Sequence, residues 1–208
     1  NIENKEQIKN YSFFNGLFRD TLLGNQFNNE MGYLLGKHVD KDVLIRLING
    51  FDLGNQSINY VECHDNYTLF DYLTLHKISD ELKKDILKLA LGIIVISKGT
   101  PFIHLGMEVG RSKKLNNNSY KSDMSINSVN LKNDEYADVI KYLKGLIVLR
   151  KTHPIDYENI NLIDDFYLHF ISNNVEYLIK NDCSEVLFNE EKINKPGLYY
   201  KIIKRPLK

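Results

Sequence analysis

The sequence predicts an α/β fold: a parallel-sheet segment with helical crossovers, followed by a small antiparallel β appendage. Three observations predict it. A short β-type run ending in polar residues, then a loop, then a helix, occurs twice in tandem, at 57–98 and 100–151. That unit joins parallel strands through helices. From about Ile160 the texture changes to aromatic-rich strands separated by turn residues. The composition is that of a folded domain, 43% hydrophobic and 26% charged over 208 residues, which excludes a disordered or collagen-like chain.

Taken in order, a first strand is expected near Ser12 to Phe18. A helix over Lys41 to Asn49 follows from Val43, Leu44, Leu47 and Ile48. Ser57–Glu62 reads as a strand. Leu82, Ile86, Leu89, Ala90, Ile93, Ile94 and Ser97 follow helical spacing, so a helix runs from about Asp80 to Lys98. Ser79 or Asp80 caps it, and Gly99 and Pro101 stop it. Its second half is apolar nearly all round, which calls for packing on more than one side. Thr100–Leu105 is the next strand, and Leu115–Ser119 a polar loop. A helix from Asp134 to Lys151 carries Ala137, Ile140, Leu143, Ile147 and Arg150 on one face; Asn133 or Asp134 caps it and His153-Pro154 ends it. Beyond it, Phe166–Ile171, Glu176–Ile179 and Leu198–Ile203 read as antiparallel strands. Asn173-Asn174, Asn181-Asp182 and Pro196-Gly197 separate them. The organisation is thus a segment over 1–155 and an all-β domain over 156–208.

Charge and cysteine content narrow the function. Lys plus Arg and Asp plus Glu both number 27, so a nucleic-acid backbone finds no basic surface. No run reaches the ~18–20 apolar residues of a membrane span. Cys63 and Cys183 fit no zinc spacing and no disulfide framework; one pairing is open, and two buried free thiols are the expectation. The start, Asn1-Ile2-Glu3-Asn4, has no Met, basic region or apolar region, as expected of a segment beginning inside a longer protein.

His64-Asp65 stands at the carboxyl end of a predicted parallel strand, where loops converge on one cavity. The alternative is a local hydrogen bond in a loop. Glu62, Asp65 and Asp71 form an acidic cluster with His64 but lack metal-ligand spacing, so no metal is expected. Strand alternation should turn Cys63 away from His64. No phosphate loop or nucleophile elbow occurs, and no cofactor is expected.

Five blocks carry a resemblance. Ile58-Asn59-Tyr60-Val61-Glu62-Cys63-His64-Asp65-Asn66-Tyr67-Thr68-Leu69 resembles N-Y-V-E-S-H-D-N-x-T-L of the type I pullulanases, α-glucan debranching enzymes of the α-amylase superfamily. Phe13–Gly24 resembles their F-N-D-R-F-R-D-x-x-x-G. Ser97–Glu108 resembles S-Q-G-I-P-F-L-H-A-G-Q-E, and Asn118–Ser122 resembles N-S-Y-x-S. Tyr142–Lys151 with His153-Pro154 resembles Y-x-K-G-L-I-x-L-R-K-x-H-P. The blocks keep family order over residues 11–155. Departures are Met107 for Gln, Ser122-Asp123-Met124 where the family continues with Ser-Pro-Asp, and no Trp anywhere.

The resemblance implies the C-terminal part of a (β/α)8 TIM barrel, about strands 6–8 with helices, followed by the small antiparallel β-domain. It implies a retaining hydrolase of α-1,6 branch linkages in α-glucans. The nucleophile and acid/base would lie upstream of Asn1, and the chain alone would be inactive. Asp65 is then the transition-state stabiliser, and His64 grips the same sugar ring. Asn66, Glu108, Asn118 and Tyr120 are candidate substrate-binding residues. Glu108 has an alternative as a strand-end acceptor, and Arg150 and Tyr120 are expected to be mainly structural. Arg150 is expected to act against its own helix's C-terminal dipole. The partners implied are an α-glucan and the missing N-terminal half of the barrel, with no nucleic acid and no membrane. A truncated or degenerate chain serving as a non-catalytic glucan-binding or structural subunit is the alternative. With three of eight barrel units, the first strand should have an unpaired edge, and the helix over Leu82–Ile96 should lose some of its packing partners.

Overall fold

The computed structural model describes residues 2–163 and 167–203. Strand β1 (Phe13–Phe14) and the central β2 (Ser57–Asn59) pair in parallel, Phe13 opposite Ser57. β2 and β3 (Thr100–Pro101) pair likewise, Ile58 opposite Thr100. The three strands are shorter than their sequence runs. The last ladder bond is Phe102 N–H to Asn59 O at 2.9 Å; beyond it the chains leave the ladder.

So little ladder needs other support, and a line of buried side chains supplies it. Asn15 Nδ2 donates to Ser57 Oγ (2.9 Å), Ser57 Oγ to Asn59 Oδ1 (2.6 Å), and Asn59 Nδ2 to Lys98 O (2.9 Å). Asn15, Ser57 and Asn59 are all buried, where a polar group without a partner is costly. Asn15 also explains a correction. The strand expected near Ser12 to Phe18 stops at Phe14, because Asn15 Oδ1 accepts from Phe18 N–H (3.0 Å) and caps helix α1 (Gly16–Leu23).

Helices α2 (Lys41–Ile48), α3 (Leu69–Leu75) and α4 (Asp80–Ile96) follow, then the single turn α5 (Met124–Asn127) and α6 (Ala137–Thr152). Ser79 caps α4 through its hydroxyl. Neither Asn133 nor Asp134 caps α6 with its side chain; Asn133 instead donates to Val109 O. Arg150 is structural, but not through the dipole of its own helix. Its guanidinium reaches the end of α4, donating to Val95 O, to Ser97 O (2.7 Å) and to Gly99 O (2.6 Å). There it satisfies carbonyls that a helix end leaves open.

The C-terminal region is antiparallel, in the order β4 (Asn161–Leu162), β5 (Leu168–Ser172), β6 (Val175–Lys180), β9 (Gly197–Ile202). A separate hairpin is formed by β7 (Val186–Phe188) and β8 (Glu191–Ile193). Both tight turns use left-handed pairs, Asn173-Asn174 and Asn189-Glu190, which match strand twist. Phe166, expected at a strand start, lies outside the described residues.

One hydrophobic core includes side chains of α4, α6 and the four-stranded sheet. Gly92 lets β9 approach α4: an added Cβ would meet Leu198 Cβ and Tyr142 Oη, each at 2.9 Å. Tyr142 OH donates to Leu198 O (2.9 Å) and Tyr157 OH to Ile96 O (2.6 Å). Helix α4 therefore keeps its packing, contrary to expectation: every residue from Leu89 to Ile96 is buried. The cysteine expectation also changes. Both are free thiols, but Cys63 is half-buried and Cys183 exposed, because each sits in a turn rather than on an element.

Two outcomes follow from this packing. Gly92→Leu should lower stability by about 1–3 kcal/mol through overpacking, read by denaturant unfolding. Burial holds the phenols of Tyr142, Tyr33 and Tyr177 in their neutral form, raising each pKa above the ordinary value. A raised folded pKa stabilises fully below the unfolded value and less as pH climbs past it. The chain should therefore lose stability above about pH 10. Phenolate absorbance should show Tyr142 ionising only on unfolding.

Candidate functional site

Past Asn59, residues Tyr60, Val61 and Glu62 stay buried. The chain then turns and exposes His64 and Asp65, whose side chains are 83% and 70% accessible. His64 Nε2 stands 3.3 Å from Asp65 Oδ1. Asn66 takes a left-handed conformation, φ 57°, which Asn tolerates better than most residues. Tyr67 N–H donates to Gln26 Oε1 (3.2 Å), and Thr68 Oγ1 caps α3.

Beneath this turn lie two buried carboxylates. Glu62 accepts from Leu69 N–H through one oxygen and meets His104 Nδ1 at 3.0 Å with the other. Asp71 accepts from Ser112 Oγ (2.5 Å) and Lys113 N–H (2.7 Å). Lys113 is itself buried, and its ammonium donates to the carbonyl of His64 (3.0 Å). Burial, then the neighbouring Arg111, pushes the Lys113 pKa down, while Glu62 and Asp71 oppose the shift. The acidic cluster read from sequence is thus split. Glu62 and Asp71 hold loops together, and only Asp65 faces solvent with His64.

A recess of about 110 Å³ opens beside the turn, lined by Arg19, Asp20, Asn25, Gln26, Phe27 and Asn66. Arg19 is fixed by Asp20 (2.7 Å) and by the Tyr60 hydroxyl (3.2 Å). Phe27, 83% exposed, stands at its edge. An exposed aromatic amid polar donors and acceptors suits a polyhydroxylated ring. Sequence reasoning missed Phe27 and Gln26; the available signal was a lone Phe in the polar run 24–30.

The other expected residues are placed as follows. Asn66 lines the recess; His64 and Asp65 stand beside it rather than in its lining. Glu108 Oε2 accepts from Gly106 N–H (3.1 Å), a local role at the end of the strand run. Asn118 is exposed on a loop that Asn127 ties down through Ser119 O and Ser122 O. Tyr120 is 73% exposed, with Lys121 over its ring, so it does not serve packing. Cys63 is a further correction. The strand ends at Asn59, so alternation no longer governs residue 63, and its sulfur lies within 4.8 Å of ligand atoms of both His64 and Asp65.

Lys113→Met would leave the His64 carbonyl without its ammonium donor. We expect a loss of about 1–3 kcal/mol and faster amide hydrogen exchange over residues 63–67, read by mass spectrometry.

No protein-family model matches the chain. A pullulanase of Bacillus subtilis strain 168 is 35% identical over 167 residues, which is 74% of this chain and 23% of that protein. Among solved structures, the type I pullulanase of B. subtilis with maltose superposes with TM-score 0.85 at 25% identity, over 98% of this chain and 37% of that one. The Paenibacillus barengoltzii pullulanase with maltotetraose gives TM-score 0.86 at 24% identity, over 99% of this chain and 40% of that one. The chain thus spans well under half the length of the proteins it matches. In sequence and in fold, along most of its length, this chain is similar to a part of the pullulanases.

Proposed function

We propose that the chain is the C-terminal part of a (β/α)8 catalytic barrel, residues 1–155, with a β-domain over 156–208, from an enzyme that hydrolyses α-1,6 branch bonds in α-glucans with retention. The observation that carries this reading is the solvent-facing His64–Asp65 pair on the turn after the central parallel strand, in a chain whose relatives are pullulanases.

In this reading Asp65 accepts hydrogen bonds from sugar hydroxyls and His64 donates to the same ring. Both contacts tighten as the ring flattens toward the oxocarbenium-like transition state, which lowers the barrier without bond-making. Phe27 offers a stacking face, and Arg19 and Asn66 offer polar contacts at the recess. Asn118 and Tyr120 extend the glucan surface on the next loop; Glu108 shapes its own turn. Retention also needs a nucleophile and an acid about 5–5.5 Å apart, and these belong to the part of the barrel ahead of Asn1. The outer edges of β1 and β3 have no strand partner among the described residues, and Phe14 is 50% exposed beside Tyr60 and Phe102. That is where the remaining strands would add.

The chain alone should release no reducing sugar from pullulan and should self-associate in sedimentation through its open edges. Co-purified with the polypeptide encoded ahead of Asn1, it should be active, and Asp65→Asn should cut kcat/KM at least about a hundredfold. Turnover by the chain alone that a His64→Ala, Asp65→Ala double variant abolishes would overturn this reading. So would a complex indifferent to Asp65→Asn.

A further inference from the structure

We propose that Cys63, His64 and Asp65 form a binding site for a borderline-soft divalent cation of the zinc class. Three side chains of different chemistry converge there. Cys63 Sγ, a ring nitrogen of His64 and a carboxylate oxygen of Asp65 all lie within 4.8 Å of one another. Thiolate, imidazole and carboxylate are the donors that zinc takes, in a tetrahedral set whose ligand atoms sit roughly 3–4 Å apart. The His64–Asp65 side of the triangle is already 3.3 Å. Closing the rest needs the sulfur to move by roughly 1 Å, which a side-chain rotation at an exposed turn provides.

The backbone under the three ligands is held independently of any ion. Lys113 Nζ grips the His64 carbonyl at 3.0 Å, and Gln26 holds Tyr67 N–H at 3.2 Å. The neighbouring carboxylates do not compete for the ion, since Glu62 and Asp71 are buried and spent on Leu69, His104, Ser112 and Lys113. Three protein ligands, His64 and Asp65 exposed and Cys63 half-buried, leave a fourth position open to water or another donor. The thiol is what sets this turn apart. The resembling family motif has Ser at this place, a poor ligand for such a cation, and this chain has Cys63.

The test is a Co²⁺ titration of the full reduced 208-residue chain, without sugar, so that its outcome is separate from that of the glucan reading. Thiolate-to-cobalt charge-transfer absorbance reports Cys ligation directly. The wild type and Cys183→Ser should show one saturable equivalent with that band. Cys63→Ser should abolish the band, and His64→Ala should weaken binding at least about tenfold. Circular dichroism checks that each variant is folded. Zn²⁺ should displace the cobalt and bleach the band. No saturable band, a band that needs Cys183 instead of Cys63, or an affinity unchanged in His64→Ala would each overturn the site.

Discussion

A carboxylate taken out of water must be given partners, and the partners given to Glu62 organise everything around the turn. One oxygen takes Leu69 N–H at the start of α3, and the other takes His104 on the stretch after β3. His104 in turn stands 3.3 Å from Arg111, whose guanidinium reaches Asn127 O. One buried residue thereby couples the stretches that follow two neighbouring parallel strands. Asp71, within the first turn of α3, repeats the device through Ser112 and Lys113. Because these carboxylates are consumed inside, Asp65 is left outside with His64.

The same economy supports the sheet. Strands of two and three residues make too few ladder bonds to set their own alignment. The buried Asn15–Ser57–Asn59 line and the Lys98 carbonyl cross all three. Arg150 gathers the carbonyls that α4 leaves open at the entry to β3. Polar side chains are doing here what longer strands would do elsewhere. On the other side of α4, Gly92, Tyr142 and Leu198 bring the antiparallel sheet into one core with the helices.

The exposed pair, the recess beside it and the open sheet edges belong to one description. The turn at 63–66 combines a backbone held from both sides with accessible side chains. The outer edges of β1 and β3 have no strand partner among the described residues, and Phe14 beside them is exposed.

Much was legible from residues alone. Helices α2, α4 and α6 were set by apolar spacing and by stops at Gly99 and Pro154, because periodicity and backbone chemistry are local. The parallel and antiparallel regions followed from how strands and helices alternate, and the exposed position of His64 and Asp65 from the polar end of their strand run. What only the tertiary structure decided is non-local. Strand length depends on neighbours in the ladder, so β1 yields to a helix at Asn15 and β2 ends at Asn59. Whether a carboxylate is structural or solvent-facing depends on which N–H groups lie over it, so Glu62 and Asp71 part from Asp65. The recess with Phe27, and the meeting of Cys63 with His64, depend on where the chain turns after leaving the sheet. No run of sequence encodes that, because the groups that hold the turn, Gln26 and Lys113, come from opposite ends of the parallel segment.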